Sequence, residues 1–233
     1  MKNPSEEDAG QTRQVRIPVG GDPGASTRTV MLEGDLTVPP RSTGIVLFAH
    51  GSGSGRHSPR NRCVAGVIRE AGIATLLFDL LTRDEETEDN VTRRLRFDIE
   101  LLARRLVQAG RWTASQPGTQ RLGIGYFGAS TGGAAALVAA AETGAAIEAV
   151  VSRGGRPDLA GGRLESVRSP TLLIVGERDG TVLELNRAAY ARLRCENELK
   201  IIPRATHLFE EPGALEEVAR LAADWFRCHL RPR

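Results

Sequence analysis

Apolar residues recur along this chain in two rhythms. Mostly apolar runs, each about as long as a strand, occupy residues 44–49, 73–78, 122–127 and 171–176, and residues 147–152 read as a further strand. Runs this short, bounded by Gly, Pro or Asp, predict central strands of a parallel sheet covered on both faces. Residues 14–19 instead alternate polar and apolar positions. After the turn signal Gly20-Gly21-Asp22-Pro23-Gly24, residues 30–38 read as a second strand, so the two predict an antiparallel pair that Pro39-Pro40 ends. Residues 198–203 predict the last strand.

The second rhythm returns every three to four residues, the spacing of one helix face. It marks residues 63–71, 91–114, 183–193 and 212–230. In the second of these, Leu95, Ile99, Leu102 and Leu106 form the inward stripe and arginines the outward one. Residues 134–141 are too rich in alanine for anything but a packed helix. Pro212 suits the first turn of the closing helix. Residues 84–89 are acidic and predict a surface loop. Residues 1–13 are polar and predict a flexible N-terminal tail, and residues 14–233 a single domain.

Strands and helices therefore alternate after an antiparallel start. Right-handed crossovers would put helices on both faces of a mostly parallel sheet and gather the strand C-termini at one edge, where ligands bind in open α/β sheets. The interval 154–169 is too short for a large cap domain.

Composition narrows the possible functions. The 233 residues carry a net charge of +2 and only 4% aromatics, which argues against a nucleic-acid surface of basic and aromatic side chains. The three cysteines, Cys63, Cys195 and Cys228, are odd in number and widely spaced, a pattern without metal-ligand spacing that suits a reducing compartment. No apolar run approaches a membrane span, and the N-terminus lacks the apolar stretch of a signal peptide. A cytoplasmic protein is expected, with no metal site.

The chemistry concentrates at Gly128-Ala129-Ser130-Thr131-Gly132, between a predicted strand and a predicted helix. A strand that turns sharply into a helix strains its central residue and leaves no room for bulky neighbours. Glycines two before and two after Ser130 remove the collision and raise the hydroxyl above the N-terminus of the helix, where N–H groups favour negative charge. A serine nucleophile needs a base, and the base needs a carboxylate to orient it. Of four histidines, His207 follows the last strand on the catalytic edge and is the candidate base. His50 reads as a prop for the glycine loop Gly51–Gly55, and His229 as a surface residue near a helix end. Asp179 follows the strand at 171–176 and is the candidate acid, with Glu177 and Asp158 as rivals. Two amides must receive the oxyanion. One is that of Thr131. The other comes from the glycine loop, at Ser52 or, failing that, Gly53.

Four stretches together carry a family resemblance: His50-Gly51-Ser52-Gly53-Ser54, the elbow at Ser130, Leu173-Ile174-Val175-Gly176-Glu177-Arg178-Asp179, and Ala205-Thr206-His207-Leu208-Phe209. The chain resembles the α/β-hydrolases and, among them, the dienelactone-hydrolase-like group, over roughly residues 30–230. The resemblance implies an α/β-hydrolase fold, a Ser–Asp–His triad, and hydrolysis of a small-molecule ester without metal or organic cofactor. Dienelactone hydrolases proper use cysteine as nucleophile. Ser130 in that place favours a general carboxylesterase, with thioester or lactone as further substrates. Similar sequences also occur joined to a phosphoribosyltransferase domain, which suggests a functional link. A peptidase of the same fold, and a small-ligand-binding member without turnover, are the competing readings.

Substrate contacts are expected from His57, Arg153 and Phe209. His57 sits in a loop at the catalytic edge, and Phe209 neighbours the base. Arg153 and Arg156, with Arg56 and Arg60, could hold a carboxylate with forked guanidiniums, although in so arginine-rich a chain local acids such as Asp158 compete for them.

Overall fold

The computed structural model describes residues 10–20 and 29–232. Its centre is an eight-stranded sheet of order β1-β2-β4-β3-β5-β6-β7-β8. The strands are β1 (Thr12–Val19), β2 (Val30–Thr37), β3 (Gly44–Ala49), β4 (Ala74–Phe78), β5 (Gly123–Ala129), β6 (Ala149–Arg153), β7 (Thr171–Gly176) and β8 (Asn197–Ile202). β1 pairs antiparallel with β2, and β2 with β4. From β4 through β8 every pairing is parallel. β1 begins two residues before the position its alternation suggests, so Thr12 and Arg13 pair with Thr37 and Leu36 instead of lying in the tail. Residues 21–24 of the expected turn and the first nine residues of the expected tail fall outside the described residues.

The continuous apolar runs have the predicted cause. In β3, Ile45, Leu47 and Ala49 enter one core, while Val46 and Phe48 enter the other. Helices α1 (Pro59–Glu70) and α6 (Ala214–His229) cover the second face. Helices α3 (Ile99–Ser115), α4 (Thr131–Thr143) and α5 (Gly180–Arg192) cover the first. Phe48, Phe127 and Phe226 are at most 1% exposed, and burial of each contributes about 2–3 kcal/mol. The rings of Phe48 and Phe127 lie 4.9 Å apart, tilted. Helix α4 is apolar all round because it is buried all round, with Ala134 through Ala140 at or below 1% exposure.

Two elements differ from the pattern reading. Residues 84–89 are not a loop but lie within helix α2 (Arg83–Thr92). Thr82 and Glu85 form a reciprocal capping box there, so Thr82-x-x-Glu85 was the overlooked signal. Nor is residues 91–114 one helix. Arg93 takes φ 55° and ends α2, a 3₁₀ turn covers Leu95–Phe97, and Asp98 caps α3 by accepting the Leu101 N–H. Asp89, 1% exposed, secures this break by accepting the Leu95 and Arg96 N–H groups and pairing with the Arg96 guanidinium. The closing helix starts at Ala214 after Gly213, two residues beyond Pro212. After β6 the chain forms only a 3₁₀ segment, Pro157–Ser166, bent at Gly161.

Candidate active site

Ser130 stands between β5 and α4 with φ 53° and ψ −120°, a conformation that L-residues adopt only under constraint. The constraint is close packing of backbone on backbone. A Cβ on Gly128 would collide with the main chain of Gly132 and Gly133, and one on Gly132 with the carbonyls of Ala49 and His50. The Ser130 N–H donates to the Arg153 carbonyl at 3.1 Å, and the Ser130 carbonyl accepts the Arg156 N–H at 3.1 Å. Both neighbours of the elbow, the end of β3 and the chain at the end of β6, thus hold it through main-chain atoms.

His207 follows β8 in the loop that leads to α6. Its Nδ1 lies 2.5 Å from Oδ2 of Asp179, at the entry to α5. The Asp179 side chain is 14% exposed and the His207 side chain 38%. Asp179 is the N-cap residue of α5, yet its carboxylate makes no capping bond and is turned to the imidazole. Such a pairing holds the proton on Nδ1 and leaves Nε2 free to accept one. Gly154 brings this ring to the elbow: a Cβ there would meet the His207 ring at 3.4 Å, and Gly154 directly follows the residue that binds the Ser130 amide. The Ser130 hydroxyl and His207 make no direct hydrogen bond among the described residues. The rival acids are engaged elsewhere. Glu177 accepts the Arg204 N–H at 2.6 Å, and Asp158 holds Arg156 through two bonds of 2.9 and 2.7 Å.

The glycine loop after β3 packs on the same spot, since a Cβ on Gly51 would reach the Ser130 Cβ at 3.1 Å. His50 props this loop as its position suggested. Leu80 N–H donates to its Nε2 at 3.0 Å, and the other ring nitrogen donates to the Gly51 carbonyl at 3.0 Å. Desolvation holds its pKa below the ordinary value, which fits a neutral ring with one donor and one acceptor nitrogen. Asp79, at the end of β4, accepts the Arg56 N–H at 2.8 Å and pairs with the Arg56 guanidinium, which also binds Glu33 at 2.7 Å. The far end of the loop is thereby tied to β2 and β4. The Ser52 N–H, a candidate oxyanion donor, donates to the Thr131 hydroxyl at 3.0 Å. That bond was not legible in the sequence, because it depends on the side-chain rotamer of Thr131.

Two clefts border Ser52. One, of about 620 Å³, is lined by Met31, Arg56, His57, Arg60 and Leu81 among others. A narrower one involves Thr131, Asp89, Asn90, Arg96 and Leu102. The α2–3₁₀ segment that walls the second was not anticipated as part of the site. His57 is 61% exposed and its Nδ1 lies 2.6 Å from the Arg62 guanidinium. Phe209, two residues after His207, is buried, with φ 56°. Arg153 is 8% exposed and stacks on the Phe209 ring, its guanidinium carbon 6.0 Å from the ring centroid. His229 packs on Trp225 at the end of α6, 4.3 Å between centroids, far along the chain from this edge. Among the described residues no group of three or more His, Cys, Asp or Glu side chains could hold a metal, and no helix is long and apolar enough to cross a membrane.

The sheet order, the strained elbow and the acid–imidazole pair define an alpha/beta hydrolase, and residues 42–220 match the alpha/beta hydrolase domain family, to which the chain belongs. Within that fold it is a member of the dienelactone-hydrolase-like group. It is 57% identical to a dienelactone hydrolase from Anabaena variabilis, with a TM-score of 0.88 over 95% of this chain and 100% of that one. The Pyrococcus furiosus esterase Pf2001 shares the fold at 19% identity, with a TM-score of 0.75 over 97% of this chain and 96% of the other. A protein of Mycobacterium tuberculosis (strain H37Rv), provisionally named a phosphoribosyl transferase, is 61% identical over 202 residues. That alignment covers 86% of this chain and 44% of the relative, so the chain spans less than half the length of the curated relatives it matches. The chain thus carries the alpha/beta hydrolase fold.

Proposed function

We infer that the protein hydrolyses a small carboxylic ester, thioester or lactone through an acyl-enzyme on Ser130. The observation that carries this reading is the 2.5 Å pairing of His207 with Asp179, next to a serine held at φ 53°. In this mechanism His207 Nε2 takes the Ser130 proton as the hydroxyl oxygen attacks the substrate carbonyl. Asp179 stabilises the imidazolium that forms. The Thr131 amide at the start of α4 and the Ser52 amide receive the oxyanion, and the Ser52 N–H turns from the Thr131 hydroxyl to do so. The imidazolium gives its proton to the leaving alkoxide or thiolate. Water, deprotonated by the same ring, then cleaves the acyl-enzyme and regenerates the hydroxyl.

In this reading His57, which lines the larger cleft beside Ser52, contacts substrate, and the buried Phe209 packs the loop that carries the base. The similarity to a protein named dienelactone hydrolase keeps lactones among the substrates, although the nucleophile here is a hydroxyl. The longer relatives named for phosphoribosyl transfer support a functional link to such an activity. The test is a panel of p-nitrophenyl esters of increasing chain length with thioesters and lactones. Hydrolysis of short esters that disappears in Ser130→Ala supports the reading. Equal rates in both proteins contradict it.

A further inference from the structure

No side-chain bond joins the Ser130 hydroxyl to the His207 ring among the described residues. Their spacing is therefore set by the main chain that carries each of them. Residues 153–156 hold the serine. The Arg153 carbonyl accepts the Ser130 N–H, the Arg156 N–H donates to the Ser130 carbonyl, and Gly154 between them lies against the His207 ring. Helix α5 carries the other side, because Asp179, the partner of His207, stands at its entry.

The sheet secures residues 153–156 only at their start. β6 pairs with β7 as far as Arg153 and Ile174, and the Gly154 N–H still donates to the Ile174 carbonyl at 2.7 Å. Gly155 lies beyond that register. A Cβ on Gly155 would collide with the Ser152 Oγ, yet that buried hydroxyl makes no hydrogen bond among the described residues. The Gly155 carbonyl is taken instead by Asn186 of α5, whose Nδ2 donates to it at 2.9 Å across 31 positions of chain. The same nitrogen donates to the Val182 carbonyl at 2.8 Å. Both neighbours are acceptors, which fixes the nitrogen on that side of the amide.

Asn186 is a costly residue for its place. It is fully buried on the covered face of α5, between Leu183 and Ala189, and its Oδ1 has no partner among the described residues. A buried oxygen left unmet destabilises the fold, and asparagine is a weak helix former in a helix interior. What it adds is the bond to Gly155.

We propose that Asn186 is a positioning residue for the reaction. Through Gly155 it ties the helix that begins at Asp179 to the segment that holds Ser130, and so sets the distance between the His207 ring and the serine hydroxyl. The effect on turnover rests on the ester-hydrolase reading; the tie itself does not.

Two variants cut the tie. Asn186→Ala leaves room for a water to bond the Gly155 carbonyl, and Asn186→Leu fills the space without a donor. Ser169→Ala is the control. The Ser169 hydroxyl donates to the Ile147 carbonyl at 2.7 Å, equally buried, but just before β7 begins, at the end of the sheet away from the site. In the first arm, kcat and KM for p-nitrophenyl butyrate and the rate of fluorophosphonate labelling are measured, with urea unfolding of each protein. A misplaced base slows proton transfer, so both Asn186 variants are expected to lose about 10- to 100-fold in kcat and in labelling rate, with KM within about twofold. Ser169→Ala loses stability but keeps kcat. If Asn186→Leu does not fold, Asn186→Ala decides.

The second arm is amide hydrogen exchange, which needs no turnover. In Asn186→Ala the Ser130 and Arg156 amides are expected to exchange about 10-fold faster or more, while those of β3 stay as protected as in the wild type. A wild type that neither turns over ester nor takes up label defeats the hydrolase reading, and exchange still tests the tie. The proposal is overturned if an active wild type and the Asn186 variants share the same kcat, or if Ser169→Ala loses as much kcat as they do. Wild-type exchange rates at Ser130 and Arg156 in Asn186→Ala overturn it as well.

Discussion

Oδ2 of Asp179 lies 2.5 Å from Nδ1 of His207, although 28 positions of chain separate the two residues. One stands at the entry to α5 and the other in the loop after β8, and the pairing of β7 with β8 brings those two loops together at one edge. Replacing the carboxylate by an amide keeps the shape but lets the ring adopt the wrong tautomer. Asp179→Asn is expected to lower kcat about 10³- to 10⁴-fold. Its unfolding midpoint should stay close to that of the wild type. Steady-state kinetics with a short ester, alongside urea unfolding, checks both.

The elbow holds Ser130 in a strained conformation. With φ 53° and ψ −120°, Ser130 sits where glycine is at ease. Ser130→Gly should therefore abolish turnover yet raise the unfolding free energy by about 1 kcal/mol, the strain relieved less the extra chain entropy of glycine. A variant less stable than the wild type would show that the conformation costs nothing.

Close approach of main chain to main chain explains Gly132. A methyl group there meets the Ala49 and His50 carbonyls, which belong to β3 and its end and cannot move aside. Gly132→Ala is expected to lose about 3 kcal/mol or more. Gly162, with nothing within 4 Å of its would-be Cβ, is the control, and Gly162→Ala should change stability by about 0.5 kcal/mol at most. Chemical denaturation of both variants makes the comparison.

His50 gives the fold a pH dependence with a definite sign. Burial lowers its folded pKa below the ordinary value of 6.5. Above that value both folded and unfolded chains hold the ring neutral, and its full contribution is present. As pH falls below it, the unfolded chain takes up a proton that the folded chain refuses, so stability is lost as pH drops toward the folded pKa. The slope approaches about 1.4 kcal/mol per pH unit. His50→Gln, which cannot titrate, should show a flatter profile between pH 7.5 and 5.5 in urea unfolding. Parallel profiles would mean that the folded ring takes up its proton as readily as the unfolded one.

Much of this arrangement was legible in residue patterns, for physical reasons that differ by region. A strand covered on both faces is largely apolar, so β3, β4 and β7 announced themselves. The elbow glycines followed from steric need, Asp179 and His207 each follow a predicted strand, and their order after Ser130 is the one the hydrolase resemblance implies. The stretch from Thr82 to Ser115 was harder. Val91 and Leu95 extend the apolar spacing of α3 backward, yet Val91 is 86% exposed and Arg93 takes a left-handed conformation that no periodicity reveals. What closes the helix there is a buried side chain, Asp89, acting on amides six and seven residues away. The Ser52–Thr131 and Asn186–Gly155 bonds likewise depend on which partners remain once all others are paired, and that is a property of the packed molecule.

The central claim is that Ser130 is a nucleophile activated by His207 and Asp179. The most direct measurement is intact-protein mass spectrometry after reaction with a fluorophosphonate, followed by peptide mapping. The account predicts one adduct per chain, on Ser130, absent in Ser130→Ala and formed far more slowly in Asp179→Asn. A folded wild-type protein that takes up no label, or takes it up at another residue, would contradict it.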